Sequence, residues 1–271
     1  MHDSLTLAER LDQGDATIGV LSTIVHPNLV EVYGSLGLDF VWIDLEHAGP
    51  SPYDAERLED LARAADLAGV EVVLRLPTKD PSLVRKTLDT GVRNILIPRV
   101  ETAAEVRQTV ASAHFSYDGA VGDRGLAGVR ANRWGADMDS YTSRSDRHVQ
   151  VGVMIENERA VANVEEILAV DELGFAFIGP WDLSHSLGHP LEEEHDSVQA
   201  AIADIEDACA DADVPVMGFV GDSEDAAEKA EAGYQLLVVG SDVDALRSAL
   251  GDRVEEIARG LGQTRASDYR K

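Results

Sequence analysis

The sequence predicts a single (β/α)8 barrel, a TIM barrel in which eight parallel strands alternate with eight helices. Its 271 residues match the roughly 250 residues usual for that fold. Short β-branched runs alternate with helical patterns along nearly the whole chain, as expected of a parallel sheet covered by helices. The hydrophobic fraction of 44% is ordinary for a globular protein and is enough for a large core. Because barrels of this length routinely form one domain, we expect residues 1–271 to form one domain.

Eight segments have the composition of buried strands, with Val, Ile, Leu and Phe in short runs. They cover residues 17–22, 40–44, 70–75, 93–98, 149–156, 175–179, 214–220 and 235–240. Eight alternating units favour a closed barrel. An open, doubly wound sheet is the alternative, but no G-x-G-x-x-G motif follows the first strand to mark a dinucleotide site.

Helical patterns lie between these strands. Residues 51–69 keep apolar side chains at roughly helical spacing, namely Leu58, Leu61, Ala65 and Leu67. Residues 80–91 begin with Asp80 as N-cap and Pro81 at the first helical position, and they end at Gly91. Both segments are therefore predicted helices.

The longest stretch without a strand or helix pattern runs from Phe115 to about Arg147. Long connections in compact domains usually serve a functional site or an interface. We expect this segment to be irregular and to have one of these uses. The single cysteine, Cys209, lies in a helical pattern, where we expect it to be buried and without a redox role.

The chain carries 50 acidic and 23 basic residues, a formal net charge of -27. Such a surface repels nucleic-acid phosphates and anionic membranes, so we expect neither as a partner. The acidic residues are spread over every predicted helix, and most of the basic residues are arginines. This pattern predicts a halophilic protein, because a Debye length of about 3 Å at 1 M salt suppresses self-repulsion. An ordinary acidic enzyme is the alternative.

The N-terminal segment lacks a basic region followed by an apolar run, and no stretch approaches the roughly 18 apolar residues of a membrane span. We therefore expect a cytoplasmic protein.

Catalytic groups in barrels of this kind come from the C-terminal ends of the strands and the loops that follow. Glu156 ends the fifth predicted strand and Asp182 follows the sixth. Two carboxylates from neighbouring strand ends suit a hard divalent cation such as Mg²⁺, Mn²⁺ or Co²⁺. The alternative is that each carboxylate caps the helix that follows it.

Further charged residues end the second and third predicted strands. Asp44 precedes His47 by three residues, a spacing that suits a carboxylate orienting an imidazole as general base near pH 7. A purely structural pair is the alternative. Arg75 is a permanent cation that can bind a carboxylate or stabilise an enolate oxygen, or it can pair with Glu46 or Glu156 instead.

The lysines argue against a Schiff-base mechanism, which needs a desolvated lysine on a barrel strand. Lys79 follows the third strand, Lys86 and Lys229 lie in helical patterns, and Lys271 ends the chain. Polarisation of a carbonyl by a metal ion remains for carbon–carbon chemistry.

Two further groups of residues give weak signals. Glycines close the seventh and eighth strands, where many barrels bind phosphate, but nearby acidic residues, including Asp242, argue against an anion there. The remaining histidines show no metal-ligand spacing with a cysteine, and we expect most of them on the surface: His2, His26, His114, His148, His185, His189 and His195.

Four motifs occur in order between about Leu7 and Leu250: FVWIDLEHA at 40–48, VLRLP at 73–77, DP at 80–81 and GPWDLS at 179–184. Together they resemble the HpcH/HpaI family of metal-dependent pyruvate aldolases, which includes 4-hydroxy-2-oxoheptanedioate aldolase and 2-keto-3-deoxy-sugar-acid aldolases. The resemblance implies a (β/α)8 barrel and reversible cleavage of a 4-hydroxy-2-oxo acid to pyruvate and an aldehyde.

The resemblance also implies roles for individual residues. Glu156 and Asp182 would hold the metal, and His47, oriented by Asp44, would be a base acting through water. Arg75 would neutralise the pyruvate enolate. The substrate would also contact the residues that open the last motif, Gly179, Pro180, Trp181 and Asp182.

Asp89 matches an acidic position that reaches a neighbouring subunit's site. A homo-oligomer is implied as well, commonly a hexamer of paired subunits that exchange their C-terminal helix.

Two residues depart from the family pattern. Met154 stands where family aldolases often carry Gln, which removes a polar contact from the floor of the site. Trp181 stands where they carry a small residue, and we expect it to narrow the pyruvate pocket.

Two other functions are alternatives to the aldolase. One is a CoA-thioester lyase of the citrate-lyase β or malyl-CoA type, which would need a basic patch for the CoA phosphates. The other is a metal-binding regulatory barrel without catalysis, against which the Asp44–His47 pair argues.

Overall fold

The protein, described here from a computed structural model over residues 5–263, is a closed barrel of eight parallel strands. His2 and Lys271 lie outside the described residues. Each strand pairs with its neighbours along the chain, and the first also pairs with the last. The strands are β1 (Thr17–Ser22), β2 (Phe40–Asp44), β3 (Glu71–Arg75), β4 (Asn94–Ile97), β5 (Gln150–Ile155), β6 (Phe175–Ile178), β7 (Val216–Phe219) and β8 (Tyr234–Ser241). All eight predicted strands are confirmed, with ends shifted by at most two residues.

Helices surround the barrel. They are α1 (Leu7–Asp12), α2 (Pro27–Ser35), α3 (Ala55–Ala68), α4 (Pro81–Asp89), α5 (Ala103–Ala113), α6 (Tyr141–His148), α7 (Glu158–Ala162), α8 (Val164–Leu168), α9 (Pro180–Ser186), α10 (Asp196–Ala212), α11 (Ser223–Glu231) and α12 (Asp242–Gly260). Within residues 5–263, none of the helices has the length and apolar character needed to cross a bilayer.

Both predicted helices are confirmed. In α4 the Asp80 side chain accepts a hydrogen bond from the Ser82 amide, and Pro81 occupies the first turn. The expectation for Leu67 in α3 is wrong, because its side chain is 71% exposed. Leu67 follows Ala65 by only two residues, which places it on the opposite side of the helix. Cys209 is buried in α10, as expected.

The segment from 115 to 147 is more ordered than its sequence indicates. It contains a hairpin of two-residue strands (Ser116–Tyr117 and Ala120–Val121), a 3-10 helix (Arg130–Gly135) and most of α6. Polar side chains hold it together. The Asp146 carboxylate, for example, accepts hydrogen bonds from the amides of Phe115 and Ser116. Polar contacts of this kind leave no hydrophobic period in the sequence.

Two layers of apolar side chains form the core, one between the strands and the helices and one inside the barrel. Large rings fill the interior only because glycine faces them. A Cβ at Gly19 would overlap the ring of Phe40, and a Cβ at Gly152 would overlap the ring of Phe175. This packing keeps the strand ends at fixed positions around the barrel mouth.

The loop after β1 is tied to the start of α12 by one buried carboxylate. Asp242 accepts hydrogen bonds from the Ser22 hydroxyl, the Thr23 amide and hydroxyl, the Ile24 amide and the Tyr33 hydroxyl. Burial alone would raise the pKa of Asp242, but the donated hydrogen bonds lower it below its usual value. The first and last βα units are therefore joined at the mouth of the barrel.

Candidate active site

Strand register brings Asp44 and Arg75 together at the mouth of the barrel. They are the last residues of β2 and β3 and face each other in the parallel ladder. Arg75 Nε lies 2.8 Å from Asp44 Oδ1, and Arg75 Nη2 lies 2.8 Å from Asp44 Oδ2. Burial alone would raise the pKa of Asp44, but the hydrogen bonds and charge of Arg75 lower it. The pair is a bidentate, charge-assisted contact in which both groups are nearly inaccessible to water.

The expected contact between the Asp44 carboxylate and the His47 imidazole is wrong. Asp44 Oδ1 instead accepts hydrogen bonds from the backbone amides of Glu46, at 2.9 Å, and His47, at 3.4 Å. Arg75 also binds both carboxylate oxygens. Asp44 therefore fixes the turn after β2 through these backbone amides and not through the imidazole. The imidazole lies at the rim, 65% exposed.

Glu46 has a larger part in the site than its sequence position indicates. Its Oε2 lies 3.5 Å from Arg75 Nη1 and 3.7 Å from His47 Nε2, so it stands between the guanidinium and the imidazole. Burial raises the pKa of Glu46; Arg75 and His47 oppose this effect, while Asp44 and Asp182 add to it. The sequence analysis named Glu46 only as an alternative partner of Arg75, although its place in the FVWIDLEHA motif at 40–48 was a signal for a role in the site.

Glu156 follows β5 and lies against Gly179, which follows β6. The register pairs Ile155 with Ile178, so the next residue of each strand is also adjacent. A Cβ at Gly179 would lie 2.8 Å from Glu156 Cβ and 3.1 Å from its Oε2. Glycine is therefore required here by the close approach of the carboxylate.

The backbone amide of Arg99 donates a hydrogen bond of 2.6 Å to Glu156 Oε1. Arg99 has a φ of 56°, a left-handed conformation that is strained for a residue with a side chain. Burial raises the pKa of Glu156 to about 7; the amide of Arg99 opposes this shift, and the charges of Asp182 and Glu46 add to it.

The helix-capping alternative for Glu156 and Asp182 is wrong. Asn157 caps α7 by accepting a hydrogen bond from the Ala160 amide, and Gly179 is the N-cap of α9. Asp182 lies in the first turn of α9, is exposed at the mouth, and acts through its charge on both Glu156 and Glu46. Its carboxylate is therefore left for another partner.

The charges around this mouth are unbalanced. Among the described residues that act on Glu156, the carboxylates of Asp182 and Glu46 face the single guanidinium of Arg75, and Arg75 is already bound to Asp44. A divalent cation would offset the excess negative charge, and carboxylate oxygens are the ligands that hard cations prefer. The residues present thus fit a metal ion.

The floor of the site is apolar, as expected from Met154. This side chain is buried, with its Sδ 4.0 Å from Arg75 Nη1. The guanidinium carbon of Arg75 lies 5.2 Å from the ring centroid of Trp42, which packs on Phe177. Trp181, in the first turn of α9, is 67% exposed, and its expected narrowing of the pocket stays a prediction.

The structure does not bring every expected residue to this mouth. Asp89 is the last residue of α4, which runs antiparallel to the strands, so it lies at the opposite end of the barrel. Burial raises its pKa, and nearby Arg124, Lys86 and Arg85 oppose this shift. Asp44, Arg75, Glu156 and the residues from Gly179 to Asp182 meet at one mouth, with His47 at its rim.

Known proteins resemble the chain over almost its full length. Residues 18–249 match the family model described as HpcH/HpaI aldolase/citrate lyase. The hydroxypyruvate/pyruvate aldolase of Paraburkholderia phytofirmans is 32% identical over 255 residues, which cover 93% of this chain and 96% of that protein. A 5-keto-4-deoxy-D-glucarate aldolase of Shigella boydii is 34% identical over 233 residues, which cover 86% of this chain and 88% of that protein.

A solved structure of an HpcH/HpaI aldolase/citrate lyase family protein from Burkholderia cenocepacia gives a TM-score of 0.84 at 34% identity. The match covers 93% of this chain and 98% of that one. The chain therefore belongs to the HpcH/HpaI aldolase/citrate lyase family and is a metal-dependent lyase of the aldolase type.

Proposed function

We propose that the protein reversibly cleaves a 4-hydroxy-2-oxo acid to pyruvate and an aldehyde. The observation that carries this proposal is the meeting of Glu156 and Asp182 with Arg75 at one barrel mouth. A 2-oxo acid offers neighbouring carboxylate and carbonyl oxygens, which a bound cation and a guanidinium can both contact. Relatives named for pyruvate and for a keto-deoxy sugar acid support this substrate class.

Glu156 and Asp182 are the residues that would hold the divalent cation, which we propose to be Mg²⁺, Mn²⁺ or Co²⁺. When bound, the cation supplies positive charge for the oxygens of the 2-oxo acid. A Schiff base is not needed. Lys79, the lysine that follows β3, makes other contacts. Lys79 Nζ lies 2.6 Å from Glu105 Oε1 and 3.2 Å from the Arg99 carbonyl oxygen.

His47 is the proposed base for the C4 hydroxyl, acting through water. As the proton leaves, the C3–C4 bond breaks, the aldehyde departs, and the electron pair is delocalised over C3 and the C2 oxygen as an enolate. Arg75 stabilises this developing negative charge. Protonation of C3 then gives pyruvate. Glu46 Oε2 faces the imidazole at 3.7 Å, while Asp44 holds Arg75 and the turn that carries His47.

Substrate contacts are also proposed for the start of α9. The amides of Trp181 and Asp182, which follow Pro180, lie in the first turn, where helix N–H groups have no partner four residues earlier within the helix. They can donate to the substrate carboxylate. Exposed Trp181, in the same turn, would select among aldehydes by size.

The test is an assay of purified protein with pyruvate, a panel of aldehydes and added divalent ions. Aldol product should form with Mg²⁺, Mn²⁺ or Co²⁺ and should vanish on chelation. Glu156→Gln should remove activity, whereas the matched variant Glu158→Gln, exposed two residues further on, should keep it. Borohydride trapping of pyruvate on the protein would contradict the metal mechanism, and preferential cleavage of malyl-CoA would favour the thioester-lyase alternative.

We infer in addition that the protein is a homo-oligomer in which α12 packs on a second copy. Of the residues of this described helix, Asp242 and Ala258 are buried, while a stripe of large apolar side chains is exposed: Leu246, Leu250, Val254 and Ile257. Such a stripe at helical spacing is the usual face of a helix contact, and it supports the expected exchange of this helix. The role of Asp89 toward a neighbouring subunit's site stays a prediction.

Light scattering of the full chain tests this inference. Leu250→Glu should lower the molar mass toward that of one chain. The matched control, Ser248→Glu, carries the same charge on another side of the helix and should not lower it. A wild-type protein that is monomeric under all salt conditions would contradict the inference.

A further inference from the structure

A second group of possible ligands lies away from the barrel mouth, in the loop that joins α9 to α10. His189, Glu192 and His195 each offer one nitrogen or oxygen atom, and these three atoms lie within 4.8 Å of one another. Within residues 5–263, these are the only three His, Cys, Asp or Glu side chains whose ligand atoms come this close together. The aldolase chemistry proposed above uses none of the three.

Two consecutive turns bring these side chains together. The Glu192 amide donates to the His189 carbonyl at 3.0 Å, and the His195 amide donates to the Glu192 carbonyl at 3.0 Å. Each hydrogen bond spans three residues, so the repeat places positions 189, 192 and 195 on one side of the loop. Leu191 in the first turn has a φ of 65°, a left-handed conformation that the loop imposes on it.

Both ends of the loop are anchored. The His189 amide donates to the Ser184 carbonyl at 2.8 Å, and the Leu191 amide donates to the Ser184 hydroxyl at 3.2 Å. At the other end, His195 Nδ1 lies 2.9 Å from Ser197 Oγ. The same Nδ1 accepts a hydrogen bond of 3.3 Å from the Ser197 amide, so the His195 side chain caps α10. These contacts orient the ring through Nδ1, and Nε2, which takes no part in the cap, is the nitrogen that can bind a cation once its own proton has left.

We propose that His189, Glu192 and His195 form a second metal site, which takes a borderline transition-metal cation such as Zn²⁺ or Ni²⁺. Two imidazoles and one carboxylate are a common protein ligand set for Zn²⁺, and imidazole nitrogen favours Zn²⁺, Ni²⁺ or Cu²⁺ over Mg²⁺. The flanking carboxylates of Glu193, Glu194 and Asp196 add negative charge around the loop.

Binding requires one local rearrangement. The rings of His189 and His195 are stacked, with centroids 3.4 Å apart and planes 16° from parallel. A cation about 2.0–2.1 Å from each nitrogen must lie near the plane of each ring, so one imidazole has to rotate out of the stack. Both histidines are partly exposed and the Glu192 carboxylate is 65% exposed, so the side chains have room to move.

The experiment uses the full chain with excess Mg²⁺, which occupies the hard carboxylate site. Calorimetric titration with Zn²⁺ should then show one additional equivalent, that is, one Zn²⁺ ion bound per chain besides the Mg²⁺. His189→Gln and His195→Asn should each lower the Zn²⁺ affinity by at least tenfold. Removal of a residue that only hydrogen-bonds to a metal ligand already costs about 10–100-fold in affinity, so loss of a ligand should cost no less. Asn is chosen at 195 because it retains the helix N-cap.

Two controls separate this site from the barrel mouth. His185→Gln, which removes an exposed histidine from the neighbouring helix, should leave the additional equivalent unchanged. Glu156→Gln should also leave it unchanged. The proposal is overturned if the loop variants bind Zn²⁺ like the wild type, or if Glu156→Gln removes the additional equivalent.

Discussion

Arg75 presents Nε and Nη2 to the two carboxylate oxygens of Asp44, and both distances are 2.8 Å. The two residues end adjacent parallel strands in register, so their pairing follows from the ladder itself. The contact fixes the guanidinium plane above Trp42 and leaves Nη1 directed toward Glu46. The position of the guanidinium at the mouth thus depends on a carboxylate that makes no other contact with a charged side chain among the described ion pairs.

Asp44→Ala should destabilise the fold by about 3–5 kcal/mol, because it leaves a buried guanidinium without its main partner. It also removes the acceptor for the amides of Glu46 and His47. Urea denaturation measures the loss. The double variant Asp44→Ala/Arg75→Ala should lose less than the sum of the two single variants; strict additivity would show that the pair is not coupled.

His47→Ala should lower aldol cleavage by about 10²–10⁴-fold, the range for loss of a general acid–base group. Metal and pyruvate binding should persist, because Glu156, Asp182 and Arg75 are unchanged. Cleavage kinetics and pyruvate binding by calorimetry check the two halves of this expectation. Normal cleavage would assign His47 a structural role, and loss of metal would make it a ligand.

The raised pKa of Glu156 predicts that the stability of the metal-free protein depends on pH. The pKa of its carboxyl is raised from the ordinary 4.5 to about 7 in the folded protein, so between these values the native state holds more protons than the unfolded state. Stability should therefore fall as pH rises through this window, by roughly 3 kcal/mol in total. Denaturation in the presence of a chelator should show the fall in wild type and in Glu158→Gln, but not in Glu156→Gln.

The same titration should oppose metal binding. A proton on Glu156 must leave before the carboxylate can hold a cation, so Mn²⁺ affinity should weaken about tenfold for each pH unit below about 7. Affinity that is constant from pH 5 to 7 would contradict this coupling.

Gly179→Ala should disturb Glu156 without abolishing the fold. The new Cβ would approach Glu156 Cβ to 2.8 Å, which forces the carboxylate or α9 to shift and costs about 1–3 kcal/mol, as overpacking usually does. Divalent-ion affinity and cleavage should fall together. Gly251→Ala is the matched control, since nothing lies within 4 Å of a Cβ there.

Salt should stabilise the protein strongly. With 50 acidic and 23 basic side chains, repulsion between carboxylates opposes the compact state until ions screen it. Thermal melting recorded from low to molar KCl should show a rising melting temperature. Sucrose serves as a stabilising control that does not screen charge. A melting temperature that stays flat or falls in KCl would contradict the halophilic prediction.

The barrel was predictable because its signals are periodic. Residues 40–44 are buried at every position, and eight such short apolar runs, most of their residues buried, alternate with helices. The positions of Asp44, Arg75, Glu156 and Asp182 also follow from strand ends. The partner of Asp44 did not, because sequence spacing favours His47, three residues away, whereas the ladder places Arg75, 31 residues away, directly opposite.

Contacts made by loops were harder to predict. The proximity of His189 to Glu192 and His195 depends on two successive turns and on Leu191 in a left-handed conformation that its side chain disfavours. The left-handed backbone at Arg99, which directs an amide to Glu156, is likewise imposed by the folded structure. Neither feature follows from local propensity, because tertiary contacts override it at these positions.

The carboxylate of Asp242 can accept its hydrogen bonds only after residues 22 to 242 have all been synthesised. Its five donors belong to residues 22 to 33, some 209 to 220 positions earlier. Until Asp242 has been synthesised, those amides and hydroxyls lack this acceptor, and until β8 has been synthesised β1 lacks its parallel partner on one side. Long-range pairing of this kind is slow to form. The nascent chain therefore carries an open edge at β1 until β8 has been synthesised and has paired with it.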